Sequence, residues 1–161
     1  MRRYLGAFIF ALALGITAPV IAASTASAES TGSEMVANKT SSQKILVHLG
    51  RWTNDLHSAH MALRIGTNLL MHGATVTLFL DREGVRMAAL TQPLDELTWA
   101  GATMQEDWDN FVAAGGKILV CPGCAKDAGL TDQSQLRAPA VLGTMDAIAA
   151  AILGARKIID Y

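Results

Sequence analysis

The two cysteines of the chain, Cys121 and Cys124, stand two residues apart in ILVCPGCAKDAGL, residues 118–130. This spacing suits a disulfide, a pair of metal ligands, or a pair of reactive sulfur atoms. Two cysteines in an exported protein commonly pair, but a bridge across two residues closes too small a loop to stabilise a fold much. The spacing therefore favours redox or sulfur chemistry over an inert disulfide.

The surroundings of the cysteines favour a reactive sulfur. An apolar run, GKILVC at 116–121, precedes them, and Pro122 fits the first turn of a helix because it has no N–H to leave unpaired. A helix that begins there directs its free N–H groups and positive dipole end at the first sulfur. In that setting the usual thiol pKa of about 8.5 can fall by a unit or more, which makes a nucleophile near neutral pH.

Two histidines supply a competing hypothesis. His57 and His60 are three residues apart at the start of a predicted helix, so they share one face. Together with Cys121 and Cys124 they would make a tetrahedral zinc site or hold copper, provided that the fold brings the pairs together. Solvent contact or a general base is the other interpretation of these histidines. His48 and His72 are interpreted as structural.

Strand and helix patterns alternate along the chain from residue 44. Strands are predicted at 44–50, 74–81, 116–121, 140–142 and 156–161, and helices at 56–72, 83–90, 104–116, after the cysteines up to about Gly129, and at 144–155, with a long loop at 91–103. Apolar strands separated by helices imply parallel βαβ units. The expected fold is a three-layer α/β/α sandwich with a mostly parallel five-stranded sheet, of flavodoxin-like type.

In such a sheet the working edge lies at the carboxyl ends of the strands. Three loops should meet there: GRWTND at 50–55, DREGV at 81–85 and CPGC at 121–124. Asp81 also suits a helix cap, and Trp52 also suits loop packing. The side chains and backbone predicted to bind substrate around the two cysteines are Trp52, Asn54, His57, His60, Asp81, Gly123 and Lys126.

The first 28 residues predict a signal peptide. Arg2 and Arg3 precede an apolar stretch that ends in the small-residue site Ala26-Ser27-Ala28, although an uncleaved anchor helix is the alternative. Cleavage would place the protein in the periplasm or outside the cell, with no membrane attachment. Residues 29–43 are polar and aperiodic, which is typical of a flexible linker, and one domain is expected over 44–161.

The charge and the motifs argue against binding of nucleic acids and nucleotides. Cleavage removes two arginines and no acidic residue, so the formal charge moves from −1 to −3. No run of lysine or arginine indicates nucleic-acid binding. Neither GxGxxG after the first strand nor GxxxxGK[ST] occurs, so dinucleotide and nucleotide sites lack their usual motifs. No cofactor is expected.

The order of KILVHLG, MALRIGTNLL, VTLFLDREGV, KILVCPGCAKDAGL and VLGTMDAIAAAILGARKIIDY resembles the DsrE/DsrF-like family with the YchN-type fold, over residues 44–161. The resemblance implies a homo-oligomer, a trimer or hexamer, that carries sulfur as a cysteine persulfide in a relay. It implies Cys121 as the carrier, whereas Cys124 matches a cysteine present in part of the family. Many relatives have an arginine where Ala128 precedes Gly129, so Lys126 is the only cation close in sequence.

These observations predict an exported sulfur carrier or sulfurtransferase with Cys121 as nucleophile and Cys124 as resolving partner. Its sulfur donor and acceptor are unknown, because the better-known relays of the family work in the cytoplasm. The alternatives are a non-catalytic metal- or ligand-binding module, or a thiol–disulfide redox protein, that uses the same edge of the sheet.

Overall fold

A computed structural model describes residues 42–161, so the predicted signal peptide and most of the predicted linker lie outside the described residues. One sheet has five strands, in the spatial order β6-β5-β2-β1-β7, and every neighbouring pair is parallel. Its strands are β1 Lys44–Leu49, β2 Thr75–Leu80, β5 Lys117–Val120, β6 Val141–Leu142 and β7 Lys157–Asp160. The predicted five-stranded sheet is confirmed, and it is parallel throughout.

Four α-helices connect the strands: α1 Leu56–Met71, α2 Met104–Ala113, α3 Pro122–Asp127 and α4 Met145–Gly154. Asp55 begins α1, because its Oδ1 accepts the Ser58 N–H at 3.0 Å. Gly73, with a φ of 83°, follows the end of the helix in the left-handed conformation that glycine tolerates. Thr103 and Glu106 form a capping box at the start of α2.

The two faces of the sheet are covered unequally. On one face α1, α2 and α3 enclose the main core, which includes Leu63, Trp108 and Phe111. On the other face Ile148 of α4 packs on Leu46 and Phe79 in a much smaller cluster. The expected three layers are therefore present, but the second face is thinly covered. Exposed large apolar side chains include Val141, Met145, Ile152, Leu153 and Ile158.

Two connections differ from the sequence prediction. The predicted loop at 91–103 contains a two-stranded antiparallel hairpin, β3 Thr98–Trp99 and β4 Ala102–Thr103. Strands of two residues carry too little alternation for a pattern to detect. The predicted helix at 83–90 is a 3₁₀ helix over Arg82–Ala88, whose Val85 and Met87 enter the main core. Across residues 42–161, no helix combines the length and the apolar character that a membrane crossing needs.

Candidate functional site

Cys121 lies at the carboxyl end of β5, as the sequence predicts. Its N–H donates to the Leu80 carbonyl oxygen at 2.9 Å, which continues the β2–β5 ladder by one residue. Its own carbonyl oxygen accepts the Ala125 N–H at 2.9 Å as α3 begins, with Pro122 in the first turn. The cysteine is therefore fixed by backbone hydrogen bonds on both sides, between a strand and a helix.

The two cysteines are adjacent, partly buried and not joined by a disulfide. The pKa of the Cys124 thiol is raised, chiefly because burial disfavours its charged form. A backbone N–H from Arg82 opposes that shift, while the Cys121 side chain and the charge of Asp81 add to it. Cys124 therefore keeps its proton near neutral pH, and its S–H can donate to the Cys121 sulfur.

The loop after β2 forms the next part of the site. Asp81 Oδ1 lies 2.8 Å from His48 Nε2, out of line for a hydrogen bond, and accepts the Arg82 Nε–H at 3.1 Å. Arg82 has a φ of 44°, a left-handed conformation that non-glycine residues rarely adopt. Its guanidinium lies against Gly50, where an added Cβ would collide with it. Backbone strain is thus held at the residue whose N–H faces Cys124.

A cavity of about 310 Å³ opens beside Cys124 rather than beside Cys121. It is lined by Arg82, Glu83, Arg86, Cys124, Asp127 and Ala128. Of these neighbours of Cys124, the arginines Arg82 and Arg86 were not among the predicted site residues, whereas Asp81 of the same DREGV loop was. Their position directly after a strand could have indicated them, because that loop was predicted to lie at the working edge of the sheet. These two cations, rather than Lys126, line the cavity.

His57 and His60 do not lie beside the two cysteines. His60 is fully buried, with Nδ1 2.6 Å from Asp107 Oδ2, and His57 stacks on Trp99 with ring centroids 4.3 Å apart. Within residues 42–161, no three His, Cys, Asp or Glu side chains are grouped to hold a metal ion. The predicted alternative of a site built from His57, His60, Cys121 and Cys124 is therefore wrong in its geometry. Buried His60 is also not placed to contact a substrate.

The comparisons with known proteins agree with this architecture. Residues 44–161 match the DsrE/DsrF-like family. The chain belongs to this family. Among solved structures, the ychN protein from E. coli superposes with a TM-score of 0.60 at 20% identity, over 74% of this chain and 99% of that chain. MTH1491 from Methanobacterium thermoautotrophicum, a protein of unknown function, superposes with a TM-score of 0.54 at 11% identity, over 74% of this chain and 99% of that chain. A comparison with curated proteins finds no match.

The other residues predicted to bind substrate in this DsrE-like chain are scattered. Trp52 is buried, and its Nε1–H donates to Gln92 Oε1 at 2.9 Å, so it packs in the core instead of lining a pocket. Asn54 is exposed, and its Oδ1 accepts the Trp52 N–H at 2.9 Å, which shapes the loop. Gly123 and Lys126 are exposed on α3 beside the cysteines.

His48 was predicted to be structural, but its two acidic neighbours in this DsrE-like fold were not predictable from the sequence. It lies between two carboxylates, Asp81 after β2 and Asp160 on β7. Its ring also stacks on Phe79 at a centroid distance of 5.6 Å. Three adjacent parallel strands thus bring these side chains together at one edge, as their registers require. His48 therefore lies against Asp81, the carboxylate whose charge acts on Cys124.

Proposed function

We propose that this chain carries sulfur as a persulfide on Cys121, with Cys124 as the resolving thiol. One observation carries the proposal: an adjacent, unbonded cysteine pair at the carboxyl end of β5, in a chain of the DsrE/DsrF-like family. The raised pKa of Cys124 supports the division of roles, because a protonated Cys124 can stabilise a Cys121 thiolate by donating its S–H.

The chemistry is thiolate exchange. The Cys121 thiolate attacks the terminal sulfur of a sulfane donor, and a new S–S bond forms at Cys121 while the S–S bond of the donor breaks. The rest of the donor leaves with the electron pair, as a thiolate from a persulfide or as sulfite from thiosulfate. A downstream thiol then takes the terminal sulfur. Alternatively, Cys124 gives its proton to the terminal sulfur of the persulfide and its thiolate attacks the Cys121 sulfur, which releases hydrosulfide and leaves a Cys121–Cys124 disulfide. Both routes balance without an outside oxidant.

The location and the oligomeric state of the protein are also proposed. We infer that the protein is exported through its first 28 residues and works in the periplasm or outside the cell. We also infer that it self-associates, as a trimer or hexamer, through the thinly covered face of the sheet. The exposed apolar residues of α4 support this, because Leu153 is 86% exposed.

Intact mass spectrometry of three proteins tests the sulfur-carrier role: the wild type, Cys121→Ser and Cys124→Ser. After treatment with a sulfane donor, the wild type and Cys124→Ser should gain the mass of one sulfur atom, and Cys121→Ser should gain nothing. Cys124→Ser should keep its sulfur longer, because no resolving thiol remains. The added mass should disappear on reduction, which distinguishes a persulfide from oxidation by oxygen atoms.

Other results would support the alternatives. Equal loss of uptake in both variants would contradict the asymmetric roles. A disulfide that forms and reopens, with no sulfur uptake from any donor, would indicate a thiol–disulfide redox protein. A stoichiometric metal in the purified wild type would indicate a metal-binding module.

A further inference from the structure

We propose that the cavity beside Cys124 binds the small-molecule partner of this sulfur exchange: an aminothiol with a carboxylate and an ammonium group, such as cysteine, as its thiol or its persulfide. The reaction part of this inference rests on the proposed function, whereas the binding part does not. The cavity measures about 310 Å³, at the lower end of the range for small-molecule sites. That size suits an amino acid.

The cations of the cavity are free to bind a carboxylate. Arg82 donates its Nε–H to Asp81, and Arg86 donates its Nε–H to Glu83 at 2.8 Å. Among residues 42–161, neither arginine makes a hydrogen bond through its terminal nitrogens, so these donors remain available. The Nε contacts orient both planar groups, and a guanidinium edge matches a carboxylate in two parallel hydrogen bonds.

The anions of the cavity argue against a simple inorganic anion. Glu83 and Asp127 line the same space as the two arginines, so the charged lining is balanced. Glu83 is engaged by Arg86, whereas Asp127 makes no side-chain hydrogen bond within residues 42–161. A dianion such as thiosulfate would be attracted by the two arginines but repelled by both carboxylates, so this lining gives it little net attraction. A ligand with an ammonium group would instead pair with Asp127 while its carboxylate pairs with the arginines.

The sulfur of such a ligand would meet the cysteine pair from the side of Cys124. When Cys121 carries the persulfide, the ligand thiolate attacks the terminal sulfur, and the bond to the Cys121 sulfur breaks. The electron pair stays on Cys121 as a thiolate, and the ligand leaves as a persulfide. The reverse of this step loads Cys121 from the ligand persulfide. Cys124 keeps its proton in both directions, so one site serves as donor site and acceptor site.

Binding of an unreactive analogue tests the ligand class without sulfur transfer. S-methylcysteine has the carboxylate and the ammonium group but no thiol, and calorimetry would measure its affinity for the full chain. Arg86→Gln and Asp127→Asn should each weaken binding about tenfold, the usual loss for one charge-assisted hydrogen bond. Arg156→Gln is the matched control, because Arg156 is exposed just before β7, at the other end of the strands.

Sulfur uptake from two donors tests the reaction. Asp127→Asn should slow uptake from cysteine persulfide and leave uptake from thiosulfate unchanged or faster, because thiosulfate has no ammonium group. Arg86→Gln should slow uptake from both donors. Equal effects of Asp127→Asn on both donors, or equal effects of Arg86→Gln and Arg156→Gln, would overturn the inference.

The two tests separate this inference from the proposed function. If the wild type binds S-methylcysteine but takes sulfur from neither donor, the sulfur-carrier role fails while the ligand class stands. If the wild type takes sulfur but binds no analogue, the carrier role stands and this inference fails.

Discussion

His60 Nδ1 lies 2.6 Å from Asp107 Oδ2, and both residues are buried between α1 and α2. Arg64 donates its Nε–H to the same oxygen at 2.7 Å, so one carboxylate holds two basic side chains of α1. We expect Asp107→Asn to lower the free energy of unfolding by about 2–4 kcal/mol, because it removes the charge that pairs with both. Denaturant unfolding measures this change.

Asp109→Asn is the control for that prediction. Asp109 lies on the same helix, but it is exposed, and within residues 42–161 its side chain accepts one hydrogen bond, from Gln105. Its replacement should alter stability by less than about 0.5 kcal/mol. Sulfur uptake per folded molecule should be the same in both variants, because neither residue lies at the cysteines. A similar stability for both variants would show that the buried cluster contributes little.

The same cluster shows where prediction from sequence ends. The strands were predictable because buried parallel strands are short apolar runs, and Cys121 was predictable because it directly follows such a run. The burial of His60 depends on Asp107, which is 47 residues away. Helical spacing placed His57 and His60 on one face, but it gave no information on which neighbour that face contacts. The position of Arg82 and Arg86 beside Cys124 depends on the same kind of long-range packing.

Processing of the chain tests the proposed export. Signal cleavage after Ala28 should give a mature protein that begins near Glu29, because Ala26-Ser27-Ala28 has the small residues that signal peptidases accept. N-terminal sequencing of protein from the extracytoplasmic fraction checks this. A chain that keeps Met1 and stays with the membrane fraction would indicate an uncleaved anchor instead.

Self-association should depend on the exposed face of α4. Leu153 is 86% exposed there, so we expect Leu153→Glu to dissociate the trimer or hexamer by placing a charge in an apolar contact. Met71→Glu is the matched control, because Met71 is 76% exposed at the end of α1, outside this face. Light scattering measures the mass of each protein. A wild-type monomer at micromolar concentration would contradict the prediction.

The ionisation of Cys124 gives a prediction in alkaline solution. In Cys121→Ser the remaining thiol is Cys124, and its pKa stays raised because burial, the largest cause, is unaffected by the substitution. The rate of alkylation by iodoacetamide should therefore reach half its maximum at a higher pH than for the same variant in denaturant. Mass spectrometry of the quenched samples gives both rates.

The same shift links Cys124 to stability. The pKa of the Cys124 thiol is higher in the folded state than in the unfolded chain. Such a thiol makes its full contribution to stability at a pH below its pKa in the unfolded chain. That contribution is lost as the pH rises through the folded pKa. Cys121→Ser should therefore lose stability more steeply in alkaline solution than a variant in which both Cys121 and Cys124 are serine. If the free energy of unfolding falls equally with pH in both variants, Cys124 ionises with its ordinary pKa. The assignment of Cys124 as the protonated partner would then fail.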